Sequence, residues 1–116
     1  MDHEKVFAMH AEKIIAALVA KAERKGRTRQ EVYAVICWLT GYTEEGLKKK
    51  LEENVTYGEL FEQAPRMNPD YEKITGSICG IKIQEIADPL MRKIRCLDKL
   101  VDELAKGKPL EKICSR

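Results

Sequence analysis

The sequence predicts an all-α fold, a compact multi-helical single domain with about five to seven helices, two of them long. Three observations support this prediction. Apolar residues recur every three or four positions along most of the chain, which is the period of a helix buried on one face. Two Thr-x-x-Glu motifs are typical of helix capping boxes. Asn–Pro and Asp–Pro pairs precede apolar patterns and glycines follow them, which marks helix starts and ends.

The best-defined element is the segment 88–107, DPLMRKIRCLDKLVDELAKG. Asp88 is suited to cap a helix, and Pro89 fits the first helical position, where a missing N–H costs nothing. Gly107 ends the pattern and Pro109 prevents continuation. The apolar seam of this predicted helix consists of Leu90, Ile94, Leu97, Val101 and Leu104.

A long first helix is predicted from about Glu4 to Lys25, ended by Gly26. His10 falls on its apolar stripe, so we expect a histidine in the core or at its boundary rather than a catalytic one. The other residues of the stripe are Phe7, Ala11, Ile14, Ile15, Leu18 and Ala22.

Three shorter helices are predicted between residues 28 and 64. Two begin at capping boxes, and the one between them begins at a threonine that can cap it. Their predicted boundaries are Thr28 to Gly41, Thr43 to Asn54, and Thr56 to a point before Pro65.

Beyond the loop APRMNP, Asn68 and Pro69 are expected to start another helix that ends at Gly80. The β-branched stretch ITGSICGIKI also allows a short extended segment at Ile81 to Ile83. Such a strand has no evident partner and is not expected to form a sheet. A last short helix holds Leu110 and Ile113.

Composition excludes few functions. With 21 cations and 19 anions, the net charge of +2 does not by itself predict binding to nucleic acid or to an anionic membrane. No apolar run approaches the roughly 18 residues of a membrane span, and the start MDHEKVFAMHAEK lacks the features of a secretory signal. A cytoplasmic protein without a membrane segment is therefore expected. The 116 residues suffice for one domain, 1–116, with its own core.

The four cysteines are scattered and form no C-x-x-C pair, which argues against a structural metal site. An even number of cysteines would permit two disulfides, but reduced thiols fit a cytoplasmic location better. We predict neither a metal nor a cofactor. The cysteines are Cys37, Cys79, Cys96 and Cys114.

A basic cluster brackets the start of the second predicted helix. Free N–H groups and the helix dipole favour an anion at such a position, so a phosphate or a nucleic-acid backbone is a candidate ligand. The alternative is that these cations are partners of a helix dipole or are simply solvated. The cluster consists of Lys21, Arg24, Lys25, Arg27 and Arg29.

An enzyme would need a nucleophile beside a base, or paired carboxylates. Cys37 and Cys79 are the candidate nucleophiles and His10 the candidate base, but no sequence feature brings them together. Buried cysteines that act as small apolar residues are the alternative. Asp98, Asp102 and Glu103 form an acidic edge on the long helix, where ordinary intrahelical ion pairs are expected rather than a metal site.

The loops offer one further candidate site, because functional groups concentrate in loops. A pocket lined by Trp38, Tyr42 and the loop 65–69 is therefore a candidate site. Its candidate residues are Trp38, Tyr42, Met67 and Asn68.

Five blocks together resemble one small bacterial family: KAERKGRT, ICWLTGY, APRMNP, ITGSICG and DPLMRKIRCLDKLVDELAKGKPLEKI. The chain is identified from them, over about Val6 to Ile113, as a member of the family domain of unknown function 2200. The resemblance implies a compact, stand-alone bacterial cytoplasmic protein. It supplies no catalytic residues.

The leading hypothesis is a non-enzymatic helical protein that acts by protein–protein association, as a homodimer. It depends on apolar residues that lie off the main seam of the long helix, namely Met91, Leu100 and Ala105. The alternatives are an anion or nucleic-acid binder that uses the basic cluster, and an uncharacterised enzyme.

Overall fold

The computed structural model describes residues 3–78 and 80–114, and the chain there is predominantly helical, as predicted. Two short 3₁₀ helices, Pro69–Lys73 and Ile83–Glu85, and a small antiparallel hairpin, β1 (Ser77–Ile78) and β2 (Ile81–Lys82), connect the fifth and sixth α-helices. The α-helices of the described residues are α1 (His3–Ala8), α2 (Ala11–Arg24), α3 (Arg29–Thr40), α4 (Glu44–Glu52), α5 (Tyr57–Glu62), α6 (Pro89–Ala105) and α7 (Leu110–Ile113). None of them is both long enough and apolar enough to cross a membrane.

Helix α6 lies at the centre and packs against α2, α3, α5, α7 and β1. Its start was predicted correctly: one carboxylate oxygen of Asp88 accepts hydrogen bonds from the amides of Leu90 at 2.9 Å and Met91 at 3.3 Å. Its end is followed by Gly107, which has a left-handed φ of +100°. Capping and apolar spacing therefore sufficed to locate the longest helix.

The residues that lie off the main seam of α6 are buried within the same chain. Met91 is 2%, Leu100 0% and Ala105 8% exposed, because other helices cover α6 on several sides. The apolar surface that motivated the predicted homodimer is thus used inside the monomer. Self-association remains a prediction, without that support.

The prediction of one continuous first helix was wrong. The helix is interrupted between α1 and α2, where His10 adopts an extended conformation. The carbonyl of Met9 accepts a hydrogen bond from the amide of Tyr57 at 2.7 Å, and the amide of Ala11 donates to the carbonyl of Val55 at 3.0 Å. These tertiary hydrogen bonds replace helical ones. His10 is exposed, so its predicted place in or at the core was also wrong.

The predicted helix from Pro69 to Gly80 was wrong beyond its first turn. The 3₁₀ helix ends where Ile74 becomes extended, and the hairpin pairs Ser77 with Lys82 and Ile78 with Ile81. The expectation that an extended Ile81 segment would lack a partner was therefore wrong as well. Extended or 3₁₀ backbone brings the apolar side chains of this segment into the core, so their burial does not require an α-helix. Those buried side chains are Ile74, Ile78 and Ile83.

The shorter helices follow the sequence closely. Both capping boxes are formed, by Thr28 with Glu31 and by Thr56 with Glu59. In the second box, hydrogen bonds from the amide and the side chain of Thr56 lower the pKa of Glu59. The predicted end of the helix that begins at Thr43 is confirmed near residue 54, where Asn54 has a left-handed φ of 60°. The last short helix is confirmed as α7.

Candidate functional site

An open groove of about 640 Å³ lies between α2, α3 and α4. We refer to it as the groove. Its walls come from three helices that are close in sequence, joined by a turn that follows α2 and a short loop that follows α3. The surface it presents combines apolar side chains with charges, as ligand sites and the polar rims of interfaces do.

One face of α2 lines the groove along its whole length. Glu12, Ile15, Ala16, Val19 and Glu23 line it, at spacings that place them on a single helical stripe. Ile15 and Val19 are nearly buried and form the apolar floor, whereas Ala16 is exposed. The two glutamates are eleven residues apart, which corresponds to about 16 Å along a helix. The apolar floor therefore has a carboxylate at each end.

Helices α3 and α4 form the walls. Arg29 and Tyr33 are one helical turn apart on α3. Lys48, Leu51 and Glu52 line the groove from α4. Asn54, which follows α4, completes this wall.

The charges of the groove differ in whether they have partners. Lys48 forms an ion pair with Glu44, with 3.3 Å between Nζ and Oε1. Within residues 3–78 and 80–114, no ion pair involves the three glutamates of the groove or its arginine. Among the described residues, the groove thus holds three carboxylates and one guanidinium that form no ion pair. They are Glu12, Glu23, Glu52 and Arg29.

The predicted basic cluster is divided by the structure. Lys21 forms an ion pair with Asp102 of α6 at 3.2 Å. Arg24 and Lys25 are exposed, and Arg29 lies in the groove beside the carboxylates. The five cations therefore do not form one continuous basic surface.

Arg27 has a structural role that the sequence did not indicate. Its Nη1 donates to the carbonyls of Leu104 at 3.0 Å and Lys108 at 2.9 Å, at the end of α6. Its Nε and Nη2 bind the carboxylate of Glu31. The hydrogen bonds from Arg27 lower the pKa of Glu31 to about 2, and those same bonds raise the pKa of Arg27. This guanidinium joins the start of α3 to the carbonyls at the end of α6.

The loop residues predicted as a pocket pack against the core and form hydrogen bonds with other parts of the chain. The side-chain amide of Asn68 donates to the carbonyl of Trp38 at 3.3 Å. The hydroxyl of Tyr42 donates to the carbonyl of Leu60 at 2.7 Å, and burial raises its pKa to about 12. Trp38 and Met67 are half-buried against the core. None of these residues lines the groove.

Gly41 shows why this loop packs so closely. Its φ is +81°, and a Cβ atom there would lie 2.6 Å from the carbonyl oxygen of Arg66. The amide of Arg66 also donates to the carbonyl of Thr40 at 3.1 Å. The glycine that the sequence marked as a helix end also permits a backbone contact that a side chain would prevent.

The candidate groups for thiol chemistry are not activated. Burial raises the pKa of Cys37 and that of Cys114, which disfavours the nucleophilic thiolate. Cys96 is buried and its thiol donates to the carbonyl of Tyr71 at 3.5 Å. These three cysteines form no disulfide bond among the described residues, and Cys79 lies outside those residues. An arrangement that activates a cysteine is not present in the described part of the chain.

The acidic edge of α6 consists of ion-paired carboxylates. Asp98 accepts from Arg95 at 3.0 Å, but burial raises its pKa despite that pairing. Asp102 binds both Lys106 and Lys21; burial alone would raise its pKa, and the two lysines together lower it. Among the described residues, no group of histidine, cysteine and carboxylate side chains is placed to hold a metal ion.

Sequence reasoning did not find the groove. The stripe from Glu12 to Glu23 can be recognised in the sequence, because a glutamate stands at each end of an apolar helical face. Whether α3 and α4 would cover that face or leave it open depends on how the helices cross, which the spacing does not reveal.

The fold and the groove define a small, predominantly helical protein with an open, mixed-charge cleft and no assembled catalytic group among its described residues. A family model described as "Uncharacterized protein conserved in bacteria (DUF2200)" matches residues 5–115, and the chain belongs to this family. A solved structure, "Crystal structure of uncharacterized protein SP1917", is 48% identical, with a TM-score of 0.92 over 97% of this chain and 92% of that chain. A search of the curated proteins finds no match to this chain.

Proposed function

We propose that this protein is a non-catalytic binding protein, and that the groove holds a segment of another polypeptide. The observation that carries this proposal is the open groove itself, where the exposed Ala16 and the half-buried Tyr33 and Leu51 lie among carboxylates that lack ion-pair partners in the described chain. Recognition surfaces combine an apolar centre with a polar rim in this way. The absence of an activated thiol or a ligand cluster in the described chain is consistent with a role in binding.

The dimensions of the groove favour a helical segment. The stripe of α2 between Glu12 and Glu23 spans about three helical turns, or about 16 Å. An amphipathic helix that lies in a groove presents its apolar side chains at i, i+3, i+4 and i+7 over a similar length. A partner helix of this kind fits the groove better than a flat protein surface does.

Ala16 provides the test, because its side chain is exposed on the groove. The change Ala16→Trp fills the groove without removing a core side chain, and Ala17→Trp places the same indole at an exposed position that does not line it. The probes are three synthetic amphipathic helical peptides with basic, neutral and acidic flanks. We expect at least one of them to shift the backbone amide resonances of groove residues, and Ala16→Trp alone to abolish the shifts.

Two results would overturn this proposal. One is that none of the three peptides perturbs the groove. The other is that the two tryptophan variants bind equally well, which would place the binding surface elsewhere.

Self-association remains a second use of the same surface. Sedimentation velocity at micromolar concentration measures it directly, and a dimer that Ala16→Trp dissociates would make a second copy the occupant of the groove. A monomer of about 13 kDa at every concentration would remove the predicted homodimer.

We also propose a cytoplasmic location. Within the described residues, Cys37, Cys96 and Cys114 form no disulfide bond, which supports this location because oxidising compartments favour disulfides.

A further inference from the structure

We infer that the partner segment is a basic amphipathic helix of another protein, with cationic side chains about three turns apart on either side of an apolar centre. This inference rests on the proposed function, because it names the chemistry of the segment that the groove holds.

The ends of the groove supply the first argument. Glu12 and Glu23 stand at the two ends of the α2 stripe, and neither forms an ion pair within the described residues. Ile15 and Val19 lie between them. A helix aligned with α2 that places apolar side chains over this floor brings residues about eleven positions apart opposite the two carboxylates. Lysine or arginine at those positions completes both ion pairs.

The balance of charge supplies the second argument. Glu52 adds a third carboxylate from the α4 wall, which likewise forms no ion pair in the described part of the chain. Of the two cations in the groove, Lys48 is already balanced by Glu44, which leaves Arg29. The chain as a whole carries a net charge of +2, so the groove is locally opposite in sign to the rest of the protein. Such a surface attracts a cationic segment and repels an acidic one.

The exposure of these carboxylates supplies the third argument. Glu12, Glu23 and Glu52 are all exposed, so an incoming cation does not have to be fully desolvated. Exposed pairs each contribute little, and their effect is screened by salt. The carboxylates therefore select the sign of the partner, while the exposed Ala16 and the half-buried Tyr33 and Leu51 supply the apolar contact that salt does not weaken.

The experiment compares two helical peptides of about 15 residues with identical leucine patterns. One carries lysine and the other glutamate at the two positions eleven apart. Fluorescence anisotropy of the labelled peptides measures binding to the full chain at low and at raised salt. We expect the lysine peptide to bind about tenfold more tightly at low salt, with the difference reduced at raised salt.

A matched pair of variants tests the residues themselves. In the groove variant, Glu12→Gln, Glu23→Gln and Glu52→Gln are combined. The control variant combines Glu45→Gln, Glu62→Gln and Glu111→Gln, three exposed glutamates that do not line the groove. We expect the preference for lysine to disappear in the groove variant and to persist in the control.

The outcomes separate the two proposals. If both peptides bind equally and Ala16→Trp abolishes binding, the groove is a binding site, but the inference about a basic partner is wrong. If the preference for lysine is the same in both triple variants, the carboxylates of the groove do not select the partner. If a second copy of this chain occupies the groove, the inference about another protein is wrong. If neither peptide binds, the proposed function fails, and the inference fails with it.

Discussion

The two charged regions of this protein differ in how the fold uses their charges. Around the turn that joins α2 to α3, Lys21 and Arg27 are engaged by Asp102, by Glu31 and by carbonyls at the end of α6. In the groove, three carboxylates and one guanidinium have no ion-pair partner within the described residues. The sequence pointed to the first region, and the structure points to the second.

The comparison shows that a cluster of charges indicates a binding site only if the fold leaves those charges unused. A cation that caps a helix end and binds a carboxylate has already exchanged its water for protein partners. A carboxylate that remains exposed at the edge of the groove has not exchanged its water for protein partners. We therefore expect substitutions in the two regions to affect different properties, stability in the first and binding in the second.

The largest effect is expected from Arg27→Met, which keeps much of the aliphatic stem but removes every hydrogen bond of the guanidinium. Two carbonyls near the end of α6 and the carboxylate of Glu31 would lose the hydrogen bonds that Arg27 donates. We expect the free energy of unfolding to fall by about 2–4 kcal/mol. Urea denaturation measures this change. The control Arg24→Met, at an exposed position, should change stability by less than about 0.5 kcal/mol; equal effects of the two changes would contradict the role of Arg27.

A smaller effect that depends on pH is expected from Glu31→Gln. The pKa of Glu31 in the folded protein is about 2, below its ordinary value of 4.5. The carboxylate therefore contributes stability that is complete above the ordinary pKa and is lost as the pH falls towards about 2. We expect the variant to be about 1–2 kcal/mol less stable than the natural chain at neutral pH.

Urea denaturation of both proteins across the acid range checks the sign of this dependence. The difference between them should shrink as the pH falls below the ordinary carboxyl value. A difference that stays constant or grows on acidification would contradict the link between Glu31 and Arg27.

The triple groove variant should hardly change stability. Glu12, Glu23 and Glu52 form no ion pair within the described chain, so replacing them with glutamine should alter the free energy of unfolding by less than about 0.5 kcal/mol per site. Thermal denaturation measured by circular dichroism tests this. A large loss of stability would mean that the glutamates support the fold, and the contrast between the two regions would no longer hold.

The smallest effect is expected when cations of the basic cluster are replaced and binding to nucleic acid is measured. Of the five cations in the predicted cluster, Lys21 and Arg27 are engaged by the fold and Arg29 lies beside carboxylates. We therefore expect duplex DNA to bind weakly even at low salt, and the combined change of Arg24, Lys25 and Arg29 to Ala to alter that binding little. Tight, salt-dependent binding that the triple alanine variant abolishes would restore the predicted anion site.

Helix α6 and the segment 69–85 mark what could and could not be predicted. In α6, the capping Asp88, the initial Pro89, the apolar spacing and Gly107 all indicate the same structure, and the prediction was confirmed. In the segment 69–85, the buried isoleucines fit a helix as well as they fit extended chain, and the local signals disagree. The hairpin was missed because the apolar pattern does not specify that Ser77 pairs with Lys82 and Ile78 with Ile81.

Most helix boundaries follow from local sequence alone, because capping hydrogen bonds and helical periodicity act over only a few neighbouring residues. Tertiary packing is responsible for three further features. It broke the first helix at His10 by hydrogen bonds to residues 55–57, and it assigned Arg27 to the end of α6. It also left one face of α2 open between α3 and α4. Each of these depends on contacts between residues that are distant in sequence, and local spacing carries no information about them.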